Sequence, residues 1–298
     1  MPLPADPDER FQQYAHPERL VSASWLSSQL GVYGLKVIES NEDPLLYNIG
    51  HIPTAINIDW QRDLKDPYSR DFIDAEAFAK LMREKGIERT DTVVIYGDKY
   101  NWWAAYTLWV FELFGHEDVR LLDGGRDSWM AEERDTAFLA PTYPESSYPV
   151  PERDDATLRA LRPTVERAST ESTATLIDVR PHDVYTAETP AEPNHGQKSV
   201  LSPGHIPGAI NRVWRDAVTT TGHFRPADEL REGFEDLDRD RPVITYCHLG
   251  DRSAHTWFTL KHLLGFENVR NYDGSWSEWG NIVQAPIAVG EDPEGSES

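Results

Sequence analysis

The sequence predicts an α/β protein of two tandem domains, each a mostly parallel sheet flanked by helices. Three observations predict it: an internal repeat, short apolar runs alternating with helical spacing, and a strand-to-helix loop around a single cysteine.

The repeat sets the organisation. VVIYGDKYNWWAAYTLWVFELFGHEDVRLLDGGRDSW, from Val93, aligns without a gap with VITYCHLGDRSAHTWFTLKHLLGFENVRNYDGSWSEW, from Val243, at a constant offset of 150. Tyr96 matches Tyr246, Gly115 matches Gly265, Asp123-Gly124 match Asp273-Gly274, and Trp129 matches Trp279. Upstream, GHIPTAINIDW (Gly50 to Trp60) matches GHIPGAINRVW (Gly204 to Trp214) at an offset of 154. Two ordered blocks repeating in the same order indicate a duplicated domain. The expected boundaries are a first domain at 18–139, an extended proline-rich linker at 140–162, a second domain at 163–289 and a disordered acidic tail at 290–298.

Elements of the second copy read in order. Leu176 to Val179 is a short apolar strand, and Ala209 to Arg212 is another after the GHIPG turn. Pro226 to Phe234 has helical character. Val243 to Tyr246 is a β-branched strand running into Cys247. Ala254, Trp257, Leu260 and Leu264 recur at helical spacing until Gly265 ends the run, and Val269 to Tyr272 is a last strand. Ligands of such sheets sit beyond the carboxyl ends of the strands, the position Cys247 occupies.

Composition narrows the function. With 51 acidic against 29 basic residues the net charge is −22, which argues against a nucleic-acid partner. Lys appears seven times against 22 Arg, and an acidic surface poor in Lys fits a protein working in high salt. No apolar run reaches the length of a membrane span, and MPLPADPDERFQQY lacks the basic and apolar regions of a secretory signal, so a cytoplasmic protein without a membrane partner is expected. One cysteine excludes an internal disulfide, a Cys-based zinc site and a CxxC redox pair.

The segment CHLGDR makes Cys247 a candidate nucleophile. It lies between a strand end and a helix N-terminus, where the dipole and free N–H groups favour an anion. Gly250 lets the loop curl so that amides turn inward as a nest. Arg252 supplies a fixed positive charge and His248 can supply another. These features are expected to lower the thiol pKa. Asp251 would oppose ionisation and is expected to point outward. Four residues separate Cys247 from Arg252, against five in tyrosine phosphatases, so the cradle suits a terminal sulfur better than a phosphate. That spacing disfavours a cysteine phosphatase or arsenate reductase.

CHLGDRS, the paired GHIPxAIN segments, LIDVRP (Leu176 to Pro181) and YDGSWSEW (Tyr272 to Trp279) together resemble the tandem-domain sulfurtransferases of the rhodanese family, over about Val21 to Gly290. The resemblance implies a six-residue active loop, Cys247 to Arg252, a persulfide on Cys247, and Arg252 binding the sulfonate end of the donor. It implies transfer of the outer sulfur of thiosulfate to cyanide or a thiol acceptor, without a metal or organic cofactor. Charged His248 and Arg252 favour thiosulfate over 3-mercaptopyruvate. Val184 stands where some members carry a second substrate-binding Arg, which leaves open a 3-mercaptopyruvate enzyme or a sulfur carrier for a biosynthetic partner. A non-catalytic rhodanese-like binding module is a further alternative that the intact loop argues against.

The resemblance also places Trp276 near the loop, where it can pack against the persulfide and exclude water. Arg180 is a candidate substrate contact, with a buried structural pair to Asp178 as the competing reading. Gly97 occupies the cysteine position of the first copy, which makes that copy scaffold. Trp102 and Trp103 are candidates to wall the active site or to fill core. His51 and His205 recur in both copies and are expected to be structural, as are the turn residues Asp123 and Asp273.

Overall fold

Fully buried, β-branched runs make the centre of each sheet. The computed structural model describes residues 2–189 and 200–291, so the expected acidic tail lies outside the described residues from 292 onward. The first copy contains β1 (Leu20–Val21), α1 (Ala23–Gln29), β2 (Leu35–Glu39), β3 (Ile56–Asn57), α2 (Trp60–Asp63), α3 (Ala75–Glu84), β4 (Thr92–Tyr96), α4 (Trp102–Leu113), β5 (Val119–Leu122) and α5 (Gly125–Ala131). Its strands form a parallel sheet in the order β1-β5-β4-β2-β3. The second copy contains α6 (Arg162–Glu171), β6 (Thr175–Asp178), α7 (His182–Tyr185), β7 (Ala209–Asn211), α8 (Ala227–Glu232), β8 (Val243–Tyr246), α9 (Asp251–Phe258), β9 (Val269–Asn271) and α10 (Ser275–Trp279). Its strands are parallel in the order β7-β6-β8-β9.

The sequence pattern explains the layers. β4 (TVVIY) and β8 (VITY) are buried at every position, as strands covered on both faces must be. α3 is amphipathic, burying Phe78, Ala79 and Met82, and the Asp74 side chain caps it by accepting from Ala77 N at 2.8 Å. α4 is apolar nearly all round and buried nearly all round. The helix expected from Ala254 starts earlier, at Asp251, and continues beyond Phe258 as a π-helical turn, Thr259–Leu263. Gly265, at φ +73°, stands just beyond this turn. Among the described residues, no helix is long and apolar enough to cross a membrane.

Contacts divide the chain into two compact units, residues 1–154 with 218–226, and residues 155–217 with 227–298. The stretch expected as an extended linker is held down by backbone and side-chain contacts. On the first unit, Ser146 N donates to Arg83 O at 3.1 Å, Tyr143 donates to Thr54 O at 2.9 Å, and Tyr148 is fully buried. On the second, Asn271 N donates to Leu158 O at 3.0 Å and Ala160 N to Asn271 O at 2.9 Å, adding a parallel rung beside β9. Residues 218–226 interrupt the expected second domain by packing within the first unit. There Phe224 N and His223 Nδ1 reach the Asp123 carboxylate at 2.9 and 3.1 Å, and the Tyr14 hydroxyl donates to Arg225 O at 2.8 Å. A buried turn carboxylate needs donors, and this segment supplies them.

Candidate active site

Cys247 is the first residue beyond β8, at the carboxyl end of the sheet, and its side chain is fully buried. The loop to α9 is shaped by Gly250. Its φ is +97°, and a Cβ there would lie 2.6 Å from Asp273 Cα, so only glycine fits. Asn271 Nδ2 donates to Gly250 O at 2.9 Å, and Ser253 Oγ donates to Asn271 Oδ1 at 2.7 Å. The YDGSWSEW segment fixes both peptide groups of the nucleophile. Cys247 N donates to Ser275 Oγ at 3.1 Å, and Trp276 N donates to Cys247 O at 3.0 Å. Ser275 pays for that contact with a left-handed backbone, φ +51°, at about 1 kcal/mol.

Three residues meet the sulfur. Gly250 N–H donates to Sγ at 3.1 Å, the Ser253 hydroxyl lies 3.6 Å away, and the thiol donates to Asp251 Oδ1 at 3.1 Å. Two expectations are corrected here. Asp251 points inward and is 2% exposed. The thiol pKa is raised to about 11, by burial first and by the Asp251 charge second, while the Ser253 hydroxyl and amide pull it down. The physical reason is the sharp turn at Gly250. It places the first residue of α9 four positions after Cys247, back over the sulfur, in the first helical turn where a carboxylate is favoured.

The remaining expected site residues divide. Arg180 is 1% exposed and is bound by Asp178, with Nε to Oδ1 at 2.9 Å and Nη2 to Oδ2 at 2.5 Å. Nη2 also donates to Gly204 O at 2.7 Å, and the guanidinium lies 4.6 Å from the centre of the Trp276 ring. Burial opposes the charge on Arg180; Asp178 favours it most, and an ionised Cys247 favours it too. Trp276 is fully buried in the core cluster with Tyr246 and Tyr272, and its indole donates to Ser202 O at 3.0 Å. His248 is buried, and its carbonyl accepts from Ser277 N at 3.0 Å. Arg252 is half-buried in the first turn of α9. A cavity of about 290 Å³ at the end of β7, lined by His182, Arg212 and Trp214, does not include Cys247, whose sulfur is covered.

The residues expected to be structural are so. His51 stacks on Tyr47 at 3.9 Å and bonds its carbonyl at 2.9 Å; His205 repeats this on Tyr185 at 3.7 and 2.9 Å. Asp273 pairs with Arg159 at 2.9 Å. Trp103 stacks on Trp60 at 3.7 Å and is 2% exposed, so it fills core, whereas Trp102 is half-buried. Sequence reasoning missed Asp251, Ser253, Asn271 and Ser275 as partners of the loop. The spacing of Asp251, four residues after Cys247, was the available signal for the first of them.

Comparison with known proteins identifies the family. The sequence profile of the Rhodanese-like domain matches residues 22–132 and again 163–282. The chain is 59% identical over 300 residues to the thiosulfate sulfurtransferase of Corynebacterium glutamicum, covering 100% of this chain and 99% of that one. It is 49% identical over 284 residues to the sulfur carrier protein TtuD of Thermus thermophilus, covering 94% and 99%. The crystal structure of SseA from Escherichia coli, described as a 3-mercaptopyruvate sulfotransferase, superposes with a TM-score of 0.75 at 28% identity, covering 87% of this chain and 99% of that one. The chain therefore belongs to the rhodanese family, as a sulfurtransferase of two rhodanese-like domains.

Proposed function

We propose that the chain takes the outer sulfur of thiosulfate onto Cys247 and passes it to cyanide or a thiol in the cytoplasm. The observation that carries this reading is the Cys247 sulfur itself, set at a strand end with the Gly250 N–H 3.1 Å away and the Ser253 hydroxyl behind it. The Cys247 sulfur attacks the outer sulfur of thiosulfate, the donor S–S bond breaks, and sulfite leaves with the bonding pair. Cys247 then carries a persulfide, whose charge the Gly250 and Ser253 amides favour. The acceptor attacks the outer sulfur and returns the bonding pair to Cys247. Arg252 and His248 anchor the sulfonate end of the donor. Arg180 adds a buried positive charge behind the loop, and Trp276 keeps water out of it.

The identity to the Corynebacterium glutamicum enzyme supports thiosulfate as the donor. A second reading, a carrier that hands its sulfur to a partner protein, is favoured by the 49% identity to TtuD. Intact mass after thiosulfate treatment tests the proposal. A gain of one sulfur atom is expected in the wild type and none in Cys247→Ser. No gain with thiosulfate, together with a gain from 3-mercaptopyruvate, overturns the choice of donor. A stable sulfur adduct that turns over poorly with cyanide and small thiols points to the carrier.

A further inference from the structure

We infer that Asp251 is the proton acceptor of Cys247, and that the pair holds one proton in common through the whole transfer cycle. This rests on the reading of Cys247 as the sulfur-accepting thiol, and goes beyond it by assigning the group that makes the thiol reactive.

The geometry carries it. Asp251 Oδ1 lies 3.1 Å from Sγ, and the S–H of Cys247 is the hydrogen-bond donor to it. Both side chains are nearly or wholly withdrawn from solvent, at 2% and 0% exposure. A carboxylate buried against a thiol stands in the place of a general base, within direct proton-transfer distance. The other contacts of the sulfur are poor candidates. Gly250 offers an amide, which only donates. The Ser253 hydroxyl is at 3.6 Å and directs its proton to Asn271 Oδ1 at 2.7 Å.

Other charged or titratable groups around the loop are engaged or sit elsewhere. Arg180 behind β6 is tied to Asp178, and Asp273 in the turn after β9 is tied to Arg159. The Tyr246 hydroxyl donates to the Asp178 carboxylate and accepts from Ile206 N at 3.1 Å. His248 and Arg252 flank the pair in the chain, and the side chains and amides that meet Sγ belong to Asp251, Gly250 and Ser253. Asp251 is thus the carboxylate hydrogen-bonded to the sulfur.

The balance also requires it. With Asp251 ionised and the thiol protonated, the pair carries one negative charge. When the proton moves from Sγ to Oδ1, the thiolate pair forms a bond to the outer sulfur of thiosulfate and the donor S–S bond breaks towards sulfite. The dianionic donor is replaced by dianionic sulfite, and the persulfide stands beside a neutral carboxylic acid. The pair still carries one negative charge. When the acceptor removes the outer sulfur, the bonding pair returns to Sγ and the proton goes back from Asp251. Two anions never face each other across 3.1 Å in a buried site. The raised thiol pKa then describes the resting pair, with its proton on Sγ.

Infrared difference spectroscopy of the full-length wild type tests this without a substitution. Loading with thiosulfate is expected to convert one carboxylate into a carboxylic acid, with a new C=O stretch that discharge by cyanide removes. A loaded enzyme, verified by mass, that shows no such band overturns the inference and leaves the sulfur-transfer reading standing. A wild type that never gains sulfur overturns the reading beneath it. Asp251→Asn gives a second, kinetic arm. At neutral pH its rate of sulfur loading should fall by about 10²-fold or more. With rising pH the rate should climb in step with ionisation of the thiol, read separately as the alkylation rate of the sole cysteine. Asp251→Glu should restore much of the neutral-pH rate. An Asp251→Asn enzyme that loads as fast as wild type at every pH refutes the assignment.

Discussion

The same position after the central strand carries a thiol in one copy and a glycine in the other, and the surrounding contacts differ with it. In the second copy Cys247 N is held by Ser275 Oγ, and Asp251 takes the S–H. In the first, the aligned Gly97 gives its N–H to Asn101 Oδ1 at 2.9 Å, Asn101 being the residue aligned with Asp251. Gly125, aligned with Ser275, keeps the left-handed backbone at φ +59° and has no side chain, because a Cβ there would lie 2.4 Å from Asn101 Oδ1. Asn101 Oδ1 thus takes the place beside the aligned N–H that Ser275 Oγ holds in the second copy.

The charge pairs differ in the same way. In the first copy Glu39 ends β2, and its carboxylate is shared by the Tyr96 hydroxyl, Asn41 and Arg126. Burial pushes the Glu39 carboxyl pKa up, against these partners. In the second copy Asp178 holds the equivalent register, and its arginine comes from two residues further along the same strand end. The position aligned with Arg126 is thereby released to Trp276, whose ring lies 4.6 Å from Arg180. A duplicated scaffold can therefore lose or keep a site by rearranging a few polar partners while its strands stay the same.

The comparison can be broken at its glycines. Gly250→Ala would force a Cβ to 2.6 Å from Asp273 Cα in a left-handed backbone, opening the loop that aims its N–H at sulfur. Sulfur loading should fall by about 10²-fold, measured by quenched mass spectrometry; a variant within a few-fold of wild type would show that the loop tolerates another path. Gly97→Cys is the mirror change. A Cβ at Gly97 would lie 2.2 Å from Ser40 O, so the new thiol should lower stability by about 1–3 kcal/mol and accept no sulfur. Urea unfolding and intact mass report both, and two sulfurs per chain would show that the first copy lacks only its nucleophile.

Alkaline titration sharpens the same contrast. The native thiol pKa is raised from 9.0 to about 11, so above pH 9 the unfolded chain has lost a proton that the folded chain keeps. Stability then falls as pH rises from about 9 to 11, by on the order of 2 kcal/mol. Below pH 9 both states hold the proton and the effect is absent. Cys247→Ser should lack this loss, and equal alkaline slopes for the two proteins would contradict it. The smallest effect expected is on salt dependence. At about 1 M salt the Debye length is roughly 3 Å, so the field of a −22 protein no longer repels a dianionic donor. KM for thiosulfate should fall a few-fold across a salt titration of folded enzyme, and a flat or rising KM would count against it.

The duplication, the strand ends and a lone cysteine at one of them were legible in the sequence. Strand periodicity and the repeat are local or self-referential signals, and strands such as Val243–Tyr246 lie where the apolar runs put them. The residue aligned with Cys247 in the first copy is a glycine, and this alone marks that copy as lacking the thiol. What the chain pattern could not decide was direction. Whether Asp251 faces solvent or sulfur depends on where Asp273, Asn271 and Ser275 brace the loop. Whether Trp103 walls a site or fills core depends on Trp60 arriving to stack on it. These partners are 20 or more residues away from the groups they orient, and only the closed sheet brings them together. The fold class follows from local periodicity, whereas the proton balance at Cys247 is set by tertiary contacts made through space.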